Sequence, residues 1–390
     1  MGRCLACASG STVTVLRRAR VPIVQNALCR DQDDARTAAT GEMALSVCDR
    51  CGFTFNAAFD PAKIVYGPGY ENDQSHSSAF RRHMNEMAAR VLDALPAGDG
   101  FITEVGCGQG SFLALLRAGA RVPAVRLHGF DPSYRGGALP AGVAISQRFL
   151  DQSAILELGA QPNIVVLRHV IEHIPDPARF FATIRTALGS AVDAKIFVET
   201  PCFAWIASNR VLQDVFYEHV NYFTADTLGD ALEAGGFTVA RIEHVFGGQY
   251  LWAEAASATP TPRPARDDQS ILQMASTYAA DVEAQISYWR AYLADGIPTA
   301  VWGAGAKGVT FVGLVDREQK LIDCVVDVNP QKQRSFIPVT AHPIVAPAEA
   351  VHRGMRRALI MNPNYEAEIA AQITSEGLSI ELVPAGDQRG

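Results

Sequence analysis

The sequence predicts an α/β fold: a parallel sheet covered by helices on both faces, a small cysteine-bearing unit ahead of it, and a second, smaller α/β unit behind. Three observations carry this. From Phe101 onward, short apolar runs alternate with helical stretches, the order that builds βαβ units. Two of those runs end in glycine-rich turns, Gly106-Cys-Gly108-Gln-Gly110 and Gly303-Ala-Gly305. Four of the eight cysteines form two knuckles near the start of the chain.

Residues 1–68 read as a small, turn-rich unit around Cys4-x-x-Cys7 and Cys48-x-x-Cys51, ending near Tyr66-Gly67-Pro68-Gly69. Each knuckle presents two sulfurs to one ion, so Cys4, Cys7, Cys48 and Cys51 suit a tetrahedral Zn²⁺ site, although the gap of about forty residues exceeds the commoner spacing of roughly 15–20. A redox pair is the alternative. Four thiolates leave no open coordination position, so the metal would hold the segment folded and take no part in catalysis. Cys29, Cys107, Cys202 and Cys324 are scattered singly, as buried small apolar residues are.

A helix is expected from Ser77 to Leu95, where Phe80, Met84, Met87, Ala88, Val91 and Leu95 recur at helical spacing. Strands are expected at Phe101–Val105, Val125–Phe130, Ile164–Leu167 and Lys195–Glu199, with helical segments such as Arg179–Leu188 between them. Phe237–Val245 and Tyr250–Ala256, joined by Gly247-Gly248, read as an antiparallel hairpin at the sheet edge. The proline-rich stretch Ala258–Arg266 reads as a stiff linker. Beyond it come a long helix from about Ser270 to Leu293 and strands at Thr299–Trp302 and Leu321–Val326. The organisation expected is therefore 1–68, 69–257 and 267–390.

Composition narrows the function. A chain of 390 residues that is 48% hydrophobic can bury more than one core. Lys+Arg 34 against Asp+Glu 41 gives a net charge of −7, with no bulk positive field to hold a polyphosphate backbone, so nucleic acid is not expected as a partner. The N-terminal stretch lacks the apolar core of a signal peptide, and no run reaches the roughly 18 apolar residues of a membrane span. A cytoplasmic protein without membrane contact, monomeric or weakly oligomeric, is expected.

The strongest chemical signal is Phe101-Ile-Thr-Glu104-Val-Gly106-Cys-Gly108-Gln-Gly110, a strand entering a turn with glycine at every second position and a helix following. Without side chains the backbone can approach a ligand closely. Asp131 ends the next strand about 20 residues on, where a carboxylate can accept both ribose hydroxyls of an adenine nucleoside. Glu104, two residues before the first glycine, would repel a pyrophosphate but can place a cationic ligand or its amino group. That favours S-adenosylmethionine over a nicotinamide dinucleotide.

With these motifs the chain resembles class I S-adenosylmethionine-dependent methyltransferases. More narrowly it resembles the C-methyltransferases of nucleotide-linked 4-keto deoxysugars, through the paired Cys-x-x-Cys knuckles, Glu-Val-Gly-Cys-Gly-Gln-Gly, Glu172-His173-Ile174, Tyr217-Glu218-His219-Val-Asn-Tyr222-Phe223 and Gly303-Ala-Gly-Ala-Lys307-Gly308. The resemblance spans almost the whole chain. It implies a structural zinc unit, a central Rossmann-like methyltransferase domain and a C-terminal Rossmann-like domain that helps bind the nucleotide-sugar.

The chemistry so implied is removal of a proton next to a ketone, stabilisation of the enolate and in-line attack on the sulfonium methyl. His219 is the candidate base, since neutral imidazole is available near neutral pH. Glu218 is expected to orient it or hold a sugar hydroxyl, His76 to polarise the ketone or assist proton transfer, and Tyr222 to complete the catalytic set. Arg168 and His169, at a strand end, join Glu104, Gly106, Gly108, Gly110 and Asp131 as donor-site candidates. Glu172-His173 reads as packing and capping. Lys307, Asn329 and Lys332 are the acceptor-site candidates of the C-terminal unit, with Lys307 able to pair with a phosphate.

The family usually has tyrosine where this chain has Asp73 and Phe216, so Tyr70 and Tyr217 are expected to supply the missing hydroxyls, and Arg334 and Val339 stand where it commonly has glycine. Three other functions fit parts of the sequence: O-methylation of a sugar or another natural product, a non-catalytic zinc module that senses the cofactor, and a nicotinamide oxidoreductase using the turn at Gly303 with Asp327.

Overall fold

The computed structural model describes residues 3–65, 69–96, 100–121, 125–188, 194–257 and 269–386. The turn at 66–68 and the proline-rich stretch 258–266 lie outside the described residues. The described residues are arranged around three sheets.

The central sheet has seven strands in the order Thr238–Val245, Tyr250–Ala256, Lys195–Pro201, Ile164–Arg168, Phe101–Val105, Arg126–Phe130 and Val143–Ser146. The last five are parallel, and the first two form the antiparallel hairpin expected at the edge. Its strands read as continuous apolar runs because both faces are covered. One face buries Val165, Leu167, Val198 and Phe237; the other buries Met87, Val91, Leu113, Val166 and Trp252. The helix Ser78–Asp93 covers the second face. It is capped by the Ser77 hydroxyl, which accepts the Phe80 amide hydrogen, and by the Glu368 carboxylate, which accepts from the amides of Ser78 and Ala79. An anion suits a helix N-terminus, and here it ties the C-terminal unit to the central one.

The N-terminal segment departs from the turn-rich expectation. It holds the antiparallel strands Thr12–Pro22, Thr40–Cys48 and Thr54–Asn56, and a fourth strand, Asn221–Tyr222, joins the same sheet from far along the chain. The charged run Arg17-Arg18 obscures the alternation of the first strand. The face of this sheet carrying Leu16, Met43, Leu45 and Val47 is covered by the helix Gln269–Leu293, which buries Ile271, Ala275, Tyr278, Val282, Ile286, Trp289 and Leu293 at helical spacing.

The C-terminal sheet is all parallel, in the order Ile344–Val345, Cys324–Val326, Thr299–Trp302, Arg357–Ile360 and Glu381–Pro384. The strand expected from Leu321 starts only at Cys324, because the Asp316 carboxylate accepts the amide hydrogens of Lys320, Leu321 and Ile322 and holds them in a turn. Arg334 and Val339 adopt φ of 65° and 71°, the left-handed region that favours glycine. Among the described residues no helix is long and apolar enough to cross a membrane.

Candidate active site

Two cavities open at the carboxyl ends of the central strands, where the chain reverses its direction of travel across the sheet and ligands bind in open α/β folds. The first is about 630 Å³ and is lined by Glu104, Gly106, Gly108, Asp131, Arg168 and His169. Glu104, the penultimate residue of its strand, is 2% exposed, and its Oε2 has no hydrogen-bond partner. Burial pushes its carboxyl up to about 8, against the pull of Arg168. Asp131 holds the turn from the opposite side: it accepts the Gly108 amide hydrogen at 2.7 Å and those of the Ser133 amide and hydroxyl at 2.7 and 2.6 Å. Gly106, at φ 69°, lies so close to Val170 that a Cβ would collide with its side chain. The buried orphan oxygen and the cradle closed to larger residues fit a cationic nucleoside such as S-adenosylmethionine. Gly110 faces Ile145 and begins the helix Ser111–Gly119; it shapes the turn and does not line the cavity, contrary to expectation.

The second cavity lies between the central and C-terminal units and shares Tyr70, Asp73, His169 and His173 with the first. Its central side carries His76, Glu172, Asp214, Phe216, Glu218 and His219, and its C-terminal side Lys307, Asp327, Asn329 and Lys332. His219 is buried against Phe216 and His173, with ring centroids at 4.1 and 4.9 Å. Burial, then His173, His169 and Lys307, hold it well below the ordinary imidazole value, so it is neutral. Glu218 is adjacent, but its Oε2 accepts the amide hydrogen of Gln25 at 2.7 Å.

Where the cavities meet, Glu199 is fully buried with His169 Nε2 at 3.0 Å, His83 Nε2 at 3.1 Å and Arg168 Nε at 3.3 Å. Burial opposes its charge, yet Arg168, His169 and His83 keep its carboxyl well below the usual range. His169 is partly buried, which opposes its charge, but Glu172 and Glu199 raise it to about 9. Its φ of 54° is unusual for a non-glycine residue. A fixed cation thus stands between the two cavities.

Comparison with known proteins matches residues 80–242 to a methyltransferase domain and residues 274–378 to a C-methyltransferase C-terminal domain. The chain is also 26% identical over 391 residues to the C-methyltransferase NovU of Streptomyces niveus, covering 94% of this chain and 90% of that protein. This chain is a class I S-adenosylmethionine-dependent methyltransferase. Solved structures similar to the methyltransferase include N,N-8-amino-8-demethyl-D-riboflavin dimethyltransferase (RosA) of Streptomyces davawensis, 22% identical over 46% of this chain and 55% of that one, TM-score 0.37. Human N-acetylserotonin methyltransferase is 14% identical over 46% and 55%, TM-score 0.35.

The geometry of the methyltransferase corrects two tyrosines. The Tyr222 hydroxyl is engaged by the backbone of Phe216 and does not line either cavity. Tyr217 is fully buried against Gly41 and Phe59, and its hydroxyl accepts the Asp60 amide hydrogen. Tyr70 does line both cavities. Lys307 faces the second cavity as expected, but as an ion pair with Asp214. Lys332 is 5% exposed and donates to the Ala304 carbonyl at 3.1 Å and Asn26 Oδ1 at 3.3 Å.

The reading of Glu172-His173 as packing and capping is also corrected: both line the second cavity. Glu199 and His83 were not singled out as a pair; the ending of one strand in Glu199-Thr200-Pro201 beside another ending in Arg168-His169 was the available signal. The four cysteine sulfurs of the methyltransferase lie within 4.8 Å of one another. Cys4 Sγ is 3.7 Å from Cys51 Sγ, and Cys7 Sγ is 3.6 Å from Cys48 Sγ. Four convergent thiols are a donor set suited to Zn²⁺.

Proposed function

We propose that this enzyme methylates the carbon next to a ketone in a nucleotide-linked deoxysugar, with His219 as general base. The observation that carries the reading is His219 itself: a buried, neutral imidazole, lining a cavity that shares a wall with the one that holds Glu104 and Asp131. Bound S-adenosylmethionine supplies a methyl group on a positively charged sulfur. Glu104 would face that charge, Asp131 would hold the ribose side, and Gly106 and Gly108 would let the backbone close around the donor.

In the second cavity His219 takes the α-proton. The C–H electron pair passes toward the ketone oxygen, then returns to form the new carbon–carbon bond as the carbon–sulfur bond breaks. The cation at His169, held by Glu172 and Glu199, stabilises the developing negative charge through space. His76, on the exposed rim, is placed to assist proton exchange. Lys332, buried with two neutral acceptors, lines the wall where an anionic acceptor would bind, and Asn329 lies on the same wall. Lys307 reaches a phosphate only by leaving Asp214. The similarity to the C-methyltransferase NovU and the matched C-terminal domain support carbon as the atom methylated.

In this reading residues 1–68 form a unit that Zn²⁺ holds through Cys4, Cys7, Cys48 and Cys51, 69–257 the donor-binding domain and 267–390 the acceptor-binding domain. The test is deuterium exchange in heavy water with nucleotide-linked ketosugars and no methyl donor. Washout of the α-hydrogen by the wild type, lost in His219→Asn, is expected. Methylation at oxygen without any exchange would overturn the reading.

A further inference from the structure

The wall of the second cavity carries a donor set that proton transfer alone does not require. Glu172 and His173 stand on the single 3₁₀ turn Ile171–His173, and His219 comes from the loop ahead of Asn221–Tyr222. One ligand atom from each lies within 4.8 Å of the others, and the two rings meet nearly at right angles, at 79°.

Each group is held in the state in which it can ligate. Glu172 is 1% exposed; its Oε2 accepts the Thr200 hydroxyl at 3.0 Å, while its Oε1 has no hydrogen-bond partner. His169 Nδ1 is 3.6 Å from that oxygen, an ion-pair contact longer than a hydrogen bond, so an ion bound to Glu172 takes the place of this pairing while Glu199 still holds His169. His173 Nδ1 is 3.0 Å from the Glu218 carbonyl. A carbonyl can only accept, so Nδ1 carries the proton and Nε2 keeps its lone pair. Among the described residues no hydrogen bond reaches the His219 ring. A carboxylate fixed by a hydroxyl and an imidazole fixed by a backbone carbonyl are the outer contacts that orient metal ligands.

We propose that Glu172, His173 and His219 form a second divalent-metal site inside the second cavity, distinct from the four cysteines. Two imidazoles and a carboxylate suit a borderline ion such as Zn²⁺ or Co²⁺ better than Mg²⁺. Three protein ligands leave a coordination position open to the cavity. An ion there occupies the lone pair that His219 needs as a base, so the metal-bound form is silent; this second half rests on the function proposed above.

The experiment strips the full chain of metal and titrates it with Co²⁺, reading metal content and visible absorption. The cysteine cluster gives sulfur-to-metal charge-transfer bands, whereas a nitrogen–oxygen site adds only weak ligand-field bands. Two ions per wild-type chain are expected, against one in Glu172→Gln and in His173→Asn, with the charge-transfer band unchanged as the sign of an intact fold. Thr200→Val, which removes only the outer contact, is expected to weaken the second ion about 10- to 100-fold and serves if the other variants do not fold. One ion per chain throughout would overturn the site. A second ion lost in the variants, yet without effect on methyl transfer, would keep the site and overturn His219 as base.

Discussion

The Tyr222 hydroxyl accepts the Phe216 amide hydrogen at 3.1 Å and donates to the Phe216 carbonyl at 2.8 Å, closing the loop that carries Glu218 and His219 onto itself. Tyr222→Phe leaves both backbone groups buried without this partner, at a cost of roughly 1–3 kcal/mol. Chemical denaturation reads that loss. Since Phe216 packs on His219, the maximal rate is expected to fall further than donor affinity, which calorimetry reads separately.

Glu104 makes donor binding and stability depend on pH. Its carboxyl titrates near 8 in the folded chain and in the ordinary carboxylate range when unfolded. Between those values the folded state holds a proton that the unfolded state has released, so stability falls as pH rises through this window. Glu104→Gln is expected to stabilise the chain by on the order of 1–3 kcal/mol at pH 7. Its affinity for S-adenosylmethionine falls, and the proton release that accompanies binding in the wild type below pH 8 disappears. Melting curves across pH and calorimetry in two buffers check both.

Asp214 competes with any anionic acceptor for Lys307. Asp214→Asn removes the competitor, and nucleoside diphosphate is expected to bind several-fold more tightly than to wild type. Lys307→Ala is expected to weaken it. Equal affinities for all three proteins would mean that the acceptor's phosphates lie elsewhere.

Val339 holds φ at 71°, a conformation that costs a β-branched residue about 1–3 kcal/mol. Val339→Gly relieves it at the expense of a looser unfolded chain, for a net gain of about 1 kcal/mol. The midpoint of denaturation is expected to rise without a change in rate.

How much of this was legible in the sequence follows from the range of the interactions. Glu104, Gly106, Gly108 and Asp131 were readable because one strand–turn–helix unit sets their positions. The spacing of Ile271, Ala275, Tyr278 and Val282 likewise declared a helix. Tyr217 and Tyr222 were misjudged because neighbours in sequence do not set where a loop side chain points; Gly41 and the Phe216 backbone do. The grouping of Glu172 and His173 with His219 was hidden for the same reason, since about 45 residues separate the two halves of the cluster, far beyond any local spacing rule.

The fourth strand of the N-terminal sheet has a consequence for how the chain is made. Thr54 and Phe55 pair with Tyr222 and Asn221, so this strand waits for a partner synthesised some 165 residues later, roughly ten to thirty seconds at ordinary elongation rates. Until then the Thr54–Asn56 edge is open, a template for pairing with another chain. Nascent chains stalled before residue 222 are therefore the species most exposed to aggregation.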